Sequence, residues 1–259
     1  MGILNVTPDS FSDGGDFISL DLAISHAEQM LQDGADIIDI GGESTRPGAK
    51  AVSEQEELDR VIPVIEAIKQ RLSVIISIDT SKPAVMREAV SAGAGMINDV
   101  MALQTPGAVA VAMESAVPVC LMHMQGQPRT MQDHPSYGDV VADILSFFEQ
   151  RVADCMAGGI ARERLLLDPG FGFGKTLEHN LTLLQHLDAF NRLGLPLLVG
   201  VSRKSMLGAI LDGAPVEKRL YAGLAAAVMA LERGAAILRV HDVGPTVDVL
   251  KVVNATRSI

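Results

Sequence analysis

Eight times along the chain a short apolar run stops at polar or charged residues or a Gly-rich turn, and helical periodicity follows. No other feature narrows the possible folds as far. The first run, residues 1–4, ends in Asn5, and the second, 35–40, opens into the loop GGESTRPGAKA. Runs at 74–78 and 96–97 end in Asp79-Thr80 and Asn98-Asp99, and 118–122 ends near His123. Residues 165–167 end in Asp168, 197–201 in Ser202-Arg203-Lys204, and 236–238 in Arg239-Val240-His241. These runs are too short and too aliphatic to be amphipathic helices, so they read as strands buried on both faces.

Helical signals fill the intervals. Leu20, Ala23, Ile24, Ala27, Met30 and Leu31 share one face, and Asp33-Gly34 stops that helix. Ser53 and Glu56 form a capping box ahead of the stripe Leu58, Val61, Ile62, Ile65 and Ile68. Further helices are expected over 83–92, 107–116, 140–157, 177–191 and 218–233, and from 245 onward. Unbroken alternation implies a parallel sheet covered by helices, and eight units favour closure into an α/β (β/α)8 TIM barrel. The length, 259 residues, fits one such domain, and no composition shift marks a linker. An open doubly wound sheet with a dinucleotide site is the competing fold, but no G-x-G-x-x-G follows the first strand.

Composition excludes several function classes. A net charge of −11 argues against a nucleic-acid partner and requires any anionic ligand to be held by a local cluster of Lys and Arg. No run of about 18 uncharged apolar residues predicts a membrane span, and no basic residue precedes the first apolar run as in a signal peptide. A cytoplasmic protein is therefore expected, with Cys120 and Cys155 as buried free thiols. The three N-x-T sequons at Asn5, Asn180 and Asn254 are then chance matches.

In a barrel of this kind the active site lies at the C-terminal ends of the strands, where Asn5, Asp79, Asn98, His123, Asp168, Lys204, Arg239 and His241 would converge. Asp79, Asn98 and Asp168 suit a flat heterocycle carrying several N–H groups and a carbonyl. Arg239 and His241, two apart and on one face, form a cationic set with Lys204, at a helix start. Arg239, His241 and the Asn5 amide together look like a diphosphate clamp, and the Asn5 carbonyl oxygen could also reach Mg2+. Arg203 is expected to face outward. A desolvated Lys204 could alternatively serve as a Schiff-base nucleophile. GFGFGKT, residues 170–176, resembles a phosphate-binding P-loop but follows Pro169 where that motif needs Gly, so it reads as a pocket-shaping loop. His123, flanked by Met122 and Met124, reads as a pocket wall rather than a copper ligand.

The same residues carry a family resemblance. MGILNVTPDSFSDGG (1–15), DIGGESTRPGA (39–49), SIDTSKP (77–83), IND (97–99), LMHMQG (121–126), LDPGFGFGK (167–175), VSRKS (201–205) and RVHDV (239–243) stand in order at barrel spacing. With them the chain resembles the dihydropteroate synthases over essentially its full length. The resemblance implies a transferase of folate biosynthesis that joins 6-hydroxymethyl-7,8-dihydropterin diphosphate to p-aminobenzoate, yielding 7,8-dihydropteroate and pyrophosphate. It implies that Asp79, Asn98, Asp168 and Lys204 bind the pterin, with Asp79, Asp168 and Lys204 catalytic. Asn5 with Mg2+, Arg239 and His241 would hold the diphosphate. Thr45, Arg46 and Pro47, with Phe11 and Ser202, would shape the aminobenzoate site.

The resemblance further implies a homodimer, to which the Ala-rich stretch 222–230 could contribute, and sensitivity to sulfonamides through Phe11 and Pro47. Relatives usually carry a segment before the first strand, whereas Met1 here falls inside it. A pterin-binding methyltransferase barrel and a non-catalytic pterin binder are the alternatives. Lys204 and the R-x-H pair, which have no diphosphate to hold in the former, weigh against it.

Overall fold

Leu, Ile and Val in alternation give each strand two apolar faces, one toward the helices and one toward the barrel axis. In the computed structural model, residues 1–7, 16–44, 51–127 and 130–257 are described. The strands are β1 Gly2–Asn5, β2 Ile37–Gly41, β3 Ile75–Asp79, β4 Met96–Asp99, β5 Val119–Met122, β6 Leu165–Asp168, β7 Leu197–Val199 and β8 Ala235–Leu238. All pair in parallel and in sequence order. The ring closes where Ile3 N–H donates to Val240 O at 3.0 Å and Val240 N–H to Met1 O at 2.9 Å, bridging Gly2 and Val240. The expected barrel is therefore the fold.

Its helices are α1 Asp16–Gln32, α2 Glu54–Arg71, α3 Pro83–Ala92, α4 Ala108–Ser115, α5 Val140–Ala157, α6 Leu177–Gln185, α7 Ser205–Ile210, α8 Leu220–Glu232 and α9 Val243–Arg257. Ile38, Ile40, Ile76, Ile78, Leu165 and Leu167 point outward into the main core with the helices. The alternate positions Met96, Cys120, Leu166 and Leu198 form a separate apolar cluster, against which Met1 and Ile237 pack. Two residues further along three of these strands, on the same inward face, come Asn98, Asp168 and Arg239. A dry plug thus lies directly beneath a polar layer.

The expected helix over 177–191 is broken. α6 ends at Gln185 and Leu187–Leu193 continues as 3-10 turns, because Leu187 and Phe190 bury at the three-residue spacing of that helix. α7 begins directly after Lys204, where a helix start was expected, although its six residues are too few to leave a periodic signal of its length. At α2 only half of the capping box forms. Ser53 Oγ accepts the Glu56 N–H at 3.2 Å, but the Glu56 carboxylate turns to Arg60 at 2.5 Å. Both cysteines are free and buried. Among the described residues no helix is long and apolar enough to cross a membrane.

Candidate active site

Four strands deliver one ion-pair network. Arg239, just past β8, donates from Nε to Asp39 Oδ2 at 2.6 Å and from Nη2 to Asp79 Oδ2 at 2.7 Å. Asn98 on β4 donates from Nδ2 to the same Asp39 oxygen at 3.1 Å. Burial lifts the Asp79 carboxyl to about 7, against the pull of Arg239 and with the push of Asp39. Arg239, which burial alone would lower, is held above its ordinary value by Asp39 and Asp79. Gly41 on β2 lies against this network. A Cβ there would stand 3.6 Å from Asp79 Cβ and 3.9 Å from Asn5 Oδ1.

Asp39 was not among the expected site residues. Its signal lay in ADIIDI, where it shares the inward face with Ile37 and Gly41, a charge inside a strand covered on both sides.

The loop after β6 is the second wall. Asp168 Oδ1 accepts the Gly170 N–H at 2.8 Å, and burial raises the carboxyl above its ordinary value. Gly170 has φ +71°, and a Cβ there would lie 1.9 Å from His123 O, so two backbones meet where only glycine fits. Lys175, only 3% exposed, donates at 2.9 Å to both Gly170 O and Phe173 O and lies 3.1 Å from His123 Nδ1. Burial takes the Lys175 amine down to about 7, and burial with the Lys175 charge takes His123 to about 3. The lysine of GFGFGKT therefore ties its own loop inward, against His123. Sequence reasoning missed the Lys175–His123 contact because its partners are backbone carbonyls and a histidine 52 positions away.

Lys204 caps the N-terminus of α7, and its Nζ stands 4.1 Å from the Phe173 ring centroid. Burial brings it down to about 8, with Asp168 opposing. A Cβ on Gly172 would come within 3.3 Å of Lys204 Cδ. Asp168, Phe173 and Lys204 thus form one side of the mouth.

Ser202 Oγ accepts the His241 backbone N–H at 3.2 Å and lies 3.2 Å from His241 Nδ1. With the hydroxyl donating to Nδ1, the ring proton would sit on Nε2. Burial, reinforced by Arg203 and Arg239, lowers His241 to about 4, so the ring is a neutral N–H donor near pH 7. That corrects its expected place among the cations. β8 itself ends at Leu238, with buried Val240 separating Arg239 from His241. Arg203 turns outward to Asp242 at 2.5 and 3.1 Å, as expected. Among the described residues the Asn5 side chain has no hydrogen-bond partner. Phe11, Thr45, Arg46 and Pro47 lie outside the described residues.

A closed (β/α)8 barrel that gathers buried acids, an amide, a guanidinium and an ammonium at the C-terminal ends of its strands has the make-up of a barrel enzyme. The chain belongs to the pterin-binding enzyme family, whose profile matches residues 1–241, and within it to the dihydropteroate synthases. It is 59% identical over 258 residues to the dihydropteroate synthase of Escherichia coli (strain K12), covering 100% of this chain and 91% of that one. To that of Haemophilus influenzae it is 57% identical over 256 residues, covering 99% and 93%. Among solved structures, Yersinia pestis dihydropteroate synthase with a sulfonamide drug complex superimposes with a TM-score of 0.95 at 58% identity, covering 100% and 94%. Xanthomonas albilineans dihydropteroate synthase with 4-aminobenzoic acid gives 0.95 at 50% identity, covering 100% and 93%.

Proposed function

We propose that the chain, a transferase, uses its strand-end residues to condense 6-hydroxymethyl-7,8-dihydropterin diphosphate with p-aminobenzoate, giving 7,8-dihydropteroate and pyrophosphate. The observation that carries this assignment of roles is Arg239, whose guanidinium bridges Asp39 and Asp79 at 2.6 and 2.7 Å, where a pterin pocket would meet a diphosphate site. Breaking the C–O bond spreads positive charge over the pterin and leaves negative charge on pyrophosphate. Asp79 and Asp168 oppose the first, while Arg239, Lys204 and the His241 Nε2–H oppose the second. The aniline nitrogen then attacks the exposed carbon and loses one proton as the C–N bond forms, needing little beyond positioning.

Mg2+ fits the diphosphate end. Among the described residues no group of three or more His, Cys, Asp or Glu could hold a metal, and Asn5 offers one unpaired amide oxygen at the end of β1. A single protein oxygen supplemented by substrate phosphates and water suits an ion that dehydrates reluctantly. When bound, Mg2+ would neutralise charge on the leaving diphosphate.

The exposed apolar side chains support a homodimer. Tyr221 and Met229 on α8 are 81% and 39% exposed, and Val252 on α9 is 66% exposed. α8 is otherwise nearly all Ala, Leu and Val, whose small side chains allow a close helix contact. We assign the protein to the cytoplasm because folate synthesis and its free thiols suit a reducing compartment.

Product formation tests the reading. Dihydropteroate should appear when the purified chain is given pterin diphosphate, p-aminobenzoate and Mg2+, and a sulfonamide should raise the apparent KM for p-aminobenzoate without lowering kcat. Pterin binding with no product would reduce the chain to a binding module.

A further inference from the structure

Asp39 makes no strand-end contact with solvent, being 0% exposed, yet it touches two residues of the proposed site. We infer that Asp39 is a positioning residue that fixes which way the Asn98 amide and the Arg239 fork face, and so sets the donor and acceptor pattern offered to the pterin. The inference rests on the pterin reading of this mouth.

A carboxylate gripping a guanidinium can only accept hydrogen bonds, so the side of Asn98 that meets Asp39 Oδ2 at 3.1 Å must be the NH2 group. Asn98 Oδ1 is thereby turned the other way. It takes no bond from the described residues and is not among the sealed, unpartnered atoms, so it is presented as an acceptor for a ring N–H. The same carboxylate oxygen holds Arg239 by Nε. With Nη2 on Asp79, this leaves Nη1 without a partner among the described residues, available to a phosphate oxygen.

The arrangement carries a stability cost that packing alone would not demand. Asp39 Oδ1 and the Oγ of Ser77, its register partner on β3, are both buried without hydrogen-bond partners among the described residues. Leaving such atoms unpaired is unfavourable, and an aliphatic residue like Ile37 or Ile75 on the same inward faces would avoid it. Orienting two neighbours is what the carboxylate supplies and an aliphatic side chain does not.

The test uses an exchange of the pair. 6-Hydroxymethylpterin is titrated into the wild-type chain, Asp39→Asn, Asn98→Asp and the double variant, which keeps one donor, one acceptor and the net charge with their places exchanged. Each single variant should bind the pterin at least about tenfold more weakly, or about 1.4 kcal/mol, and the double variant, which restores the 39–98 bond but not the one that Arg239 Nε donates to Asp39, should lose less than the product of the two single losses. The KM for p-aminobenzoate should stay within about twofold throughout, which a general loosening of the fold would not allow. A folded Asp39→Asn that binds pterin like wild type, or a double variant carrying both losses multiplied, overturns the inference. If Asp39→Asn does not fold, proton exchange of the Asn98 side-chain amide in the wild-type chain decides. Exchange much slower than that of an exposed Asn supports the bond, and exchange at the exposed rate removes it. Failure of the wild-type chain to bind any pterin would instead sink the functional reading, and the amide exchange would still stand as a separate result.

Discussion

At the scale of single residues, the site works by burying charge unequally. Asp79 is lifted to about 7 chiefly by burial and is drawn back by Arg239, and positive charge developing on a bound pterin would draw it further toward the carboxylate. We expect Asp79→Asn to lower kcat by about a hundredfold or more while the variant keeps a cooperative thermal transition, because Arg239 retains Asp39. Near-normal turnover would remove Asp79 from the mechanism. Lys175 has a separate signature. Its pKa falls from 10.5 to about 7 on folding, so above pH 7 the unfolded chain binds a proton that the native chain does not, and its contribution to stability rises with pH. The melting temperature of wild type should therefore gain on that of Lys175→Met as the pH is raised from about 7 toward 10.5. A gap that does not change with pH would contradict this. Asp79, Asn98, Asp168, Lys204 and Arg239 were legible because each ends an apolar run. Asp39 was not, since it sits inside a strand among isoleucines, and Lys175 was hidden in a motif that suggested a phosphate.

At the scale of elements, local chemistry set most boundaries. α3 and α5 fall where their Pro, Asp and Gly signals put them, Pro83–Ala92 and Val140–Ala157. A misreading occurred where a tertiary contact overrode periodicity, as in the 3-10 turns after α6. The loop after β6 gives a direct test of packing. Gly170→Ala places a Cβ 1.9 Å from His123 O at φ +71°, and should destabilise the chain by more than about 3 kcal/mol and disturb Asp168. Gly213, at φ +86° with nothing within 4 Å, should lose only about 1 kcal/mol on the same change. Equal losses in denaturant melts would show that strain, and not the backbone contact, governs the loop.

At the scale of the whole molecule, the barrel separates a dry floor from a charged mouth. The plug of Met96, Cys120, Leu166 and Leu198 keeps water from below, which strengthens every charge in the layer above. Because the net charge is −11, an anionic substrate would depend on local cations such as Arg239 and Lys204. The apolar exposure on α8 and α9 belongs to this scale as well. Sedimentation should give twice the chain mass for wild type and a shift toward the single mass for Tyr221→Asp combined with Met229→Glu; an unshifted double mass would place the contact elsewhere.

The central claim is that Asp79 and Asp168, with Arg239 ion-paired to Asp79, act together in cleaving the C–O bond of the pterin diphosphate. Pyrophosphate release, followed with pterin diphosphate and Mg2+ in the presence and absence of p-aminobenzoate, tests it most directly. The account predicts release of up to one equivalent per site without p-aminobenzoate, continuous turnover with it, and loss of both in Arg239→Met. Wild-type chain that binds the pterin diphosphate and releases no pyrophosphate under either condition would contradict it.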